Sequence, residues 1–197
     1  MRLISILSFL ILLAAALPAR AQSTDIQKTE AACKGGNGHS CFILAYMYET
    51  GKLTGKVDPE RALSYYEDAC RLKEYTACFN LANNFASSRF KSGKGKSADY
   101  RRAEQLYKIA CDGGKGKACY NLGYINSRFA NGAAVAVSYY EKACRFGMAE
   151  GCLKAGLAYY DGVPESQGQG GAVPKSHKKA RELFQKACKG GLQKACL

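Results

Sequence analysis

Five times in this chain a cysteine is followed by another eight positions later: Cys33 and Cys41, Cys70 and Cys78, Cys111 and Cys119, Cys144 and Cys152, Cys188 and Cys196. Ten cysteines allow about 945 pairings in principle, but five identical spacings single out the local one. Within one unbroken helix, residues eight apart lie about 12 Å apart, beyond the ~7 Å that a disulfide spans. The chain therefore turns between the members of each pair. Turn-forming segments stand there, such as Lys34-Gly35-Gly36-Asn37-Gly38 and Asp112-Gly113-Gly114-Lys115-Gly116. A helix ending at the first cysteine and an antiparallel one beginning near the second bring the sulfurs together. The expectation is five local bridges, each clamping one repeat to the next and each worth at most ~2.5 kcal/mol by loop-closure entropy.

Aligned on the first cysteine, the pairs advance by 37, 41, 33 and 44 residues, the period of helix-pair solenoids. Upstream of four of them the same helix recurs: RALSYYEDAC, RAEQLYKIAC, AVAVSYYEKAC and KARELFQKAC. Alanine stands eight before the cysteine (Ala62, Ala103, Ala136, Ala180) and an aromatic four before it (Tyr66, Tyr107, Tyr140, Phe184), which places both on one core-facing side. Downstream of the second cysteine another helix recurs, with Leu44, Leu81, Leu122 and Ala155 in register, each followed by a small residue: Ala45, Ala82, Gly123, Gly156. Length differences fall between this helix and the next, at 91–96 and in the Gly- and Gln-rich stretch from Gly162 to Pro174. The pattern predicts an all-α, right-handed α/α solenoid of about four helix pairs. An unpaired helix precedes them and a truncated one follows at Leu192 to Leu197.

Residues 1–21 read as a secretory signal, with Arg2, an apolar run from Leu3 to Leu17, and Ala19-Arg20-Ala21 as the cleavage site. The run is shorter than the roughly 20 residues of a membrane span, and no later segment is apolar enough to serve. Cys33 lies too far downstream to carry a lipid at a new terminus. Periplasmic or secreted localisation is the expectation, in an oxidising compartment. Without Arg2 and Arg20 the chain keeps 27 basic against 16 acidic residues, a net +11. Such a balance favours acidic partners, and export disfavours nucleic acid; the lysines equally serve solubility.

Leu44-Ala45 with Tyr48 and Gly51, and Ala155-Gly156 with Tyr159 and Gly162, follow the pattern Leu-Gly-x-x-Tyr-x-x-Gly with small residues tolerated at its start. These residues resemble the Sel-1-like repeat family, relatives of the tetratricopeptide repeats. The cysteine pairs look like those of its Hcp-type cysteine-rich branch. The resemblance covers Glu30 to Leu197 and divides 22–197, a single repeat domain, into repeats at about 38–73, 74–114, 115–147 and 148–190 with a partial one at 191–197. In the third repeat Asn126 and Phe129 replace the Tyr and Gly and the loop is short, so an unusual turn is expected there. The resemblance implies disulfide-stapled helix pairs and, for most members, a protein-interaction scaffold in envelope or host-contact roles. For the cysteine-rich branch it also implies penicillin binding or weak β-lactamase activity.

A serine β-lactamase requires Ser-x-x-Lys with Ser-Asp-Asn and Lys-Thr-Gly companions. Ser176-His177-Lys178-Lys179 matches the first element, and neither companion occurs in the chain. Ser176 stands four before the recurring alanine, where the other repeats carry Asp58, Asp99 and Gly132, and all four are N-cap residue types. Lys179 stands where Arg61 and Arg102 stand. Capping is therefore the preferred role for Ser176, with Ser176 and Lys179 retained as catalytic candidates. The cysteine spacing and the presence of only His39 and His177 disfavour zinc, and no cofactor is expected. Both histidines read as surface residues.

Binding is expected on the concave side lined by the first helix of each repeat, at Tyr46, Asn80, Asn83, Asn84, Asn121, Tyr124, Arg128 and Lys154. Asparagine offers donor and acceptor to a peptide backbone, and Arg128 with Lys154 favours an acidic ligand. A plain solvated face is the competing reading, and the Gly162 to Pro174 loop is a second candidate with flexible linker as its alternative. The function expected is an exported scaffold binding a protein or peptide as adaptor, immunity protein, inhibitor or host-directed factor. Weak β-lactam hydrolysis is the alternative. Because the chain stops one residue after Cys196, self-association through that end is also expected.

Overall fold

Each pair of cysteines brackets the same helix stop. The third residue after the first cysteine has positive φ in all five turns: Gly36 (91°), Lys73 (64°), Gly114 (88°), Gly147 (81°) and Gly191 (92°). Its N–H donates to the carbonyl of that cysteine, and the next N–H donates to the carbonyl of the preceding alanine, all at 2.9–3.0 Å. This is the Schellman arrangement, which satisfies two orphan carbonyls and reverses the chain. A new helical segment starts five residues after the first cysteine every time, at Gly38, Tyr75, Gly116, Ala149 and Gln193, so the second cysteine falls in the first turn of each α-helix, and Cys196 directly follows the 3-10 turn.

The computed structural model describes residues 25–53, 55–91, 93, 96–128, 132–164 and 171–196. The leader at 1–21, Phe129 and Leu197 lie outside them. The fold belongs to the solenoid class of tandem helix pairs. The chain divides into two units after Glu74. The first holds α1 (25–34), α2 (Gly38–Thr50) and α3 (Pro59–Arg71). The second holds α4 (Tyr75–Ala86), α5 (Lys96–Asp112), α6 (Gly116–Asn126), α7 (Ala133–Arg145), α8 (Ala149–Asp161), α9 (His177–Lys189) and a 3-10 turn, Gln193–Ala195. Among the described residues no helix is long and apolar enough to cross a membrane.

Cys33–Cys41, Cys111–Cys119, Cys144–Cys152 and Cys188–Cys196 are bridged with Cα separations of 4.5–4.9 Å. Cys70 and Cys78 are disulfide-bonded as well. Next to the Cys144–Cys152 bridge the helices meet through small residues: a Cβ added to Gly151 would stand 2.6 Å from that of Ala143. The recurring alanines and aromatics are buried, as are the Leu44, Leu81, Leu122 and Ala155 positions. Gly123 and Gly156 are dictated by rings, since a Cβ there would come within 2.6 Å of Tyr140 and 2.7 Å of Phe184.

Helix starts follow the capping expectation at two of four positions. Asp58 accepts from the Arg61 N–H at 3.0 Å and Ser176 from the Lys179 N–H at 3.3 Å. Asp99 corrects the pattern: α5 begins at Lys96, so Asp99 is a buried residue of its first turn and no N-cap. Gly132 stands at the N-cap of α7 without a capping side chain. It is required instead by the short turn of that repeat, where a Cβ would lie 2.0 Å from the Asn126 carbonyl oxygen. The loop after α8 is closed at its base by paired backbone hydrogen bonds between Val163 and Val173 at 2.8 and 2.9 Å, and Val173 is buried. A plain linker would not be zipped in this way; residues 165–170 at its tip lie outside the described residues.

The left-handed stop can be tested at two positions. A methyl on Gly147 meets no atom within 4 Å, so Gly147→Ala reports backbone strain alone. It should lower stability by about 1 kcal/mol, and Lys73→Gly should raise it by up to about 1 kcal/mol. Thermal unfolding of the oxidised protein checks both, and shifts of equal sign would dismiss the mechanism.

Candidate interaction face

Three first helices of the second unit, α4, α6 and α8, present the same register positions. Two after the second cysteine stand Asn80, Asn121 and Lys154; five after it stand Asn83, Tyr124 and Leu157. Asn80, Asn83 and Asn121 are half-buried and Lys154 is exposed. Tyr124 is 51% exposed and Leu157 41%. One turn further along α8, Tyr160 is 53% exposed and takes the His177 ring edge-on at 5.0 Å. Tyr46 belongs to the first unit, where it is exposed on α2 beside Ile43, with the Lys52 ammonium 5.1 Å above its ring.

The order of this face comes from the core. The Tyr107 hydroxyl on α5 donates to Asn83 Oδ1 at 2.6 Å. One buried phenol thus orients Asn83 from beneath. Burial pushes the Tyr107 pKa up and the Asn121 contact offsets this only in part, so the hydroxyl stays protonated. Tyr140 behaves alike: burial pushes its pKa up, and Ser127 at the end of α6 offsets this only in part. Arg128 folds back to donate to the Tyr124 hydroxyl at 3.0 Å, with its guanidinium 5.7 Å from the ring centre.

Asn84 does not belong to the face. It is 4% exposed; its amide donates to the Asn80 carbonyl at 3.0 Å, and its own carbonyl accepts from Arg89 and Phe90 N–H groups at 2.9 and 3.1 Å. It terminates α4. Leu157 and Tyr160 were missed by sequence reasoning, although Leu157 shares its register position with Tyr46, Asn83 and Tyr124.

Ser176 and Lys179 are brought together only through the cap, side chain to backbone. The Lys179 ammonium is elsewhere, 2.7 Å from Glu141 Oε1 and 2.7 Å from the Tyr159 hydroxyl, and 4.0 Å from that ring's centre. Burial lowers its pKa, but the hydrogen bonds to Glu141 and Tyr159 and their charges outweigh this, and the net shift is upward. A lysine held in the protonated state cannot take a proton from Ser176. The same cation stacks on the same aromatic in two other repeats, Arg61 on Tyr48 at 5.4 Å and Arg102 on Phe85 at 4.8 Å. The third repeat has Val135 and Asn126 there, and Asn126 bonds back to the Leu122 carbonyl at 2.9 Å.

Each helix pair carries the same stop and bridge, three of the four carry the stack, and the Sel1 repeat pattern matches residues 38–73, 76–115, 116–145 and 149–192. The chain belongs to the Sel1 repeat family. Its bridged cysteine pairs bear out the disulfide-stapled helix pairs expected from the resemblance to the Hcp-type branch. Among solved structures it is similar to a Sel1 repeat protein from Oxalobacter formigenes, at 21% identity and a TM-score of 0.67 over 88% of this chain and 66% of that one. It is also similar to c5321, a protective antigen of uropathogenic Escherichia coli with an SLR fold, at 22% identity and a TM-score of 0.63 over 86% of this chain and 34% of that one. The immunity protein PA5088 from Pseudomonas aeruginosa matches at 18% identity and a TM-score of 0.50, over 86% and 58%. At these identities the likeness is one of fold. The Sel1 chain thus spans less than two thirds of each of these proteins. No curated protein matches it.

Ser176→Ala should cost about 1 kcal/mol of stability through the lost cap, and Ser176→Asp, the residue type that caps α3, should retain it. Penicillin turnover by purified Ser176→Ala should equal that of the unaltered protein. Turnover that disappears in the variant would make Ser176 a nucleophile.

Proposed function

We propose that this chain is an exported binding scaffold, periplasmic or secreted, that recognises a protein or peptide along the first-helix face of α4, α6 and α8. The observation that carries this reading is the buried Tyr107 hydroxyl bonded to Asn83 Oδ1 at 2.6 Å, which fixes that amide from beneath. Side chains fixed from beneath lose less rotamer freedom when a ligand engages them, so their remaining amide groups are pre-organised for an extended backbone. Beside them Tyr124, Leu157 and Tyr160 offer exposed apolar area of the kind that anchors interfaces. Lys154 and the Arg128 guanidinium add positive charge, which favours acidic residues in the ligand. Adaptor, immunity or inhibitor, and host-contact roles all use such a face. Several disulfides per chain suit an oxidising compartment. β-Lactam hydrolysis draws no support from Ser176 and Lys179, whose groups are engaged in a cap and an ion pair.

Peptides selected by display against the oxidised protein test this. A selected peptide should lose about tenfold or more in affinity on Asn83→Ala or Asn121→Ala, the worth of one well-formed polar contact. Tyr107→Phe should weaken it through loss of positioning, while Lys186→Ala on the exposed side of α9 leaves it unchanged. Selected peptides indifferent to the two asparagines and to Leu157→Ala would remove this face from consideration.

A further inference from the structure

Glu30, Tyr48 and Arg61 hold the same register places in the first unit as Glu141, Tyr159 and Lys179 hold in α7, α8 and α9: three before a first cysteine, seven after a second, and nine before the next first cysteine. In the later set the cation closes the gap between helices, bonded to the carboxylate and stacked on the ring. In the first unit Arg61 keeps the ring, 5.4 Å from the Tyr48 centre and donating to its hydroxyl at 3.2 Å, but its carboxylate partner is Asp58 of its own helix start at 3.3 Å and not Glu30. A cavity of about 730 Å³ lies there, walled by α1 and α3, with Glu30 and Arg61 both on its lining. That volume suits a small molecule or short peptide.

The lining has a defined chemistry. Tyr48 and Tyr65 stack with centroids 5.6 Å apart and form an aromatic wall. Arg71 on the rim is ion-paired with Asp68, as Arg61 is with Asp58. Glu30 and Lys34, one helical turn apart on α1, line the cavity with no ion-pair partner among the described residues. One carboxylate and one ammonium remain to be met, beside an aromatic surface. The complement is a single molecule that carries an ammonium, a carboxylate and an apolar body between them.

We propose that this cavity binds a zwitterionic ligand of the amino-acid or short-peptide class, its ammonium at Glu30 and its carboxylate at Lys34. Lys179 supplies the pattern for the cation, 2.7 Å from a carboxylate and 4.0 Å from a tyrosine ring centre. The site is independent of the face on α4, α6 and α8, and its failure would leave that reading untouched.

Three probes with one skeleton test it by amide-resolved NMR titration of the full oxidised protein: trialanine, N-acetyl-trialanine and trialanine amide. Trialanine should bind saturably, shifting resonances of α1, Tyr48 and Tyr65, and each capped form should bind about tenfold more weakly for the loss of one charge-assisted contact. Glu30→Gln should weaken trialanine to the same degree without further weakening the N-acetyl form, and Lys34→Met should do the converse with the amide. Unchanged spectra away from α1 verify that both variants are folded. Absence of saturable shifts in the first unit, or equal binding of free and capped peptides, overturns the proposal.

Discussion

The left-handed residue three positions past each first cysteine is the constraint on which the rest depends. It ends one helix, reverses the chain through two backbone hydrogen bonds and releases the next helix two residues later. Once those steps are set, the second cysteine has one place to fall, in the first turn of the new helix and within bridging distance of the first. The spacing of eight is therefore the length of a Schellman turn plus part of a helical turn, and the disulfide locks geometry that the backbone already favours. The other connection, from first to second helix of a pair, has no such lock, and the variation in repeat length is taken up there.

A second coupling runs through the side chains. A cation nine before the cysteine stacks on an aromatic of its own repeat, and in the last repeat it also reaches a glutamate of the preceding one. In the third repeat all three places change together, to Lys108, Asn126 and Val135. With no carboxylate and no ring there is nothing for a cation to bridge, and a valine buries less charge than an arginine would. That repeat relies on other devices, a tight Gly132 turn against the Asn126 carbonyl and the Tyr140 ring seated on Gly123.

What was legible in the sequence follows rules that act within one helix or one turn. Cysteine spacing, alanine and aromatic periodicity and the Asp58 and Ser176 caps are of this kind. The misses all involve partners from elsewhere in the chain or the true start of a helix. Asn84 carries the polarity of a surface residue, but it is buried with its side-chain amide bonded to the Asn80 carbonyl. Asp99 stands at the aligned cap position, yet α5 starts a turn earlier. Leu157 looks like core by composition and is exposed because its register is that of Tyr46 and Tyr124. The glutamate-tyrosine-lysine set spans three helices and emerges only when each residue is counted from a different cysteine.

The character of the outer face is set by the buried ring behind it. Where the aromatic four before the cysteine is tyrosine, its hydroxyl needs a polar partner once buried. That partner is supplied by the first helix: Glu49 for Tyr66 and Asn83 for Tyr107. Each polar partner stands at the margin of its helix's outer surface, so the core hydroxyl keeps that surface polar and fixed. In the last repeat the aromatic is Phe184, which makes no such demand, and the first helix over it turns Leu157 and Tyr160 outward. The passage along the second unit from asparagine to leucine is thus a consequence of core chemistry, and it presents backbone-binding amides at one end and apolar anchors at the other.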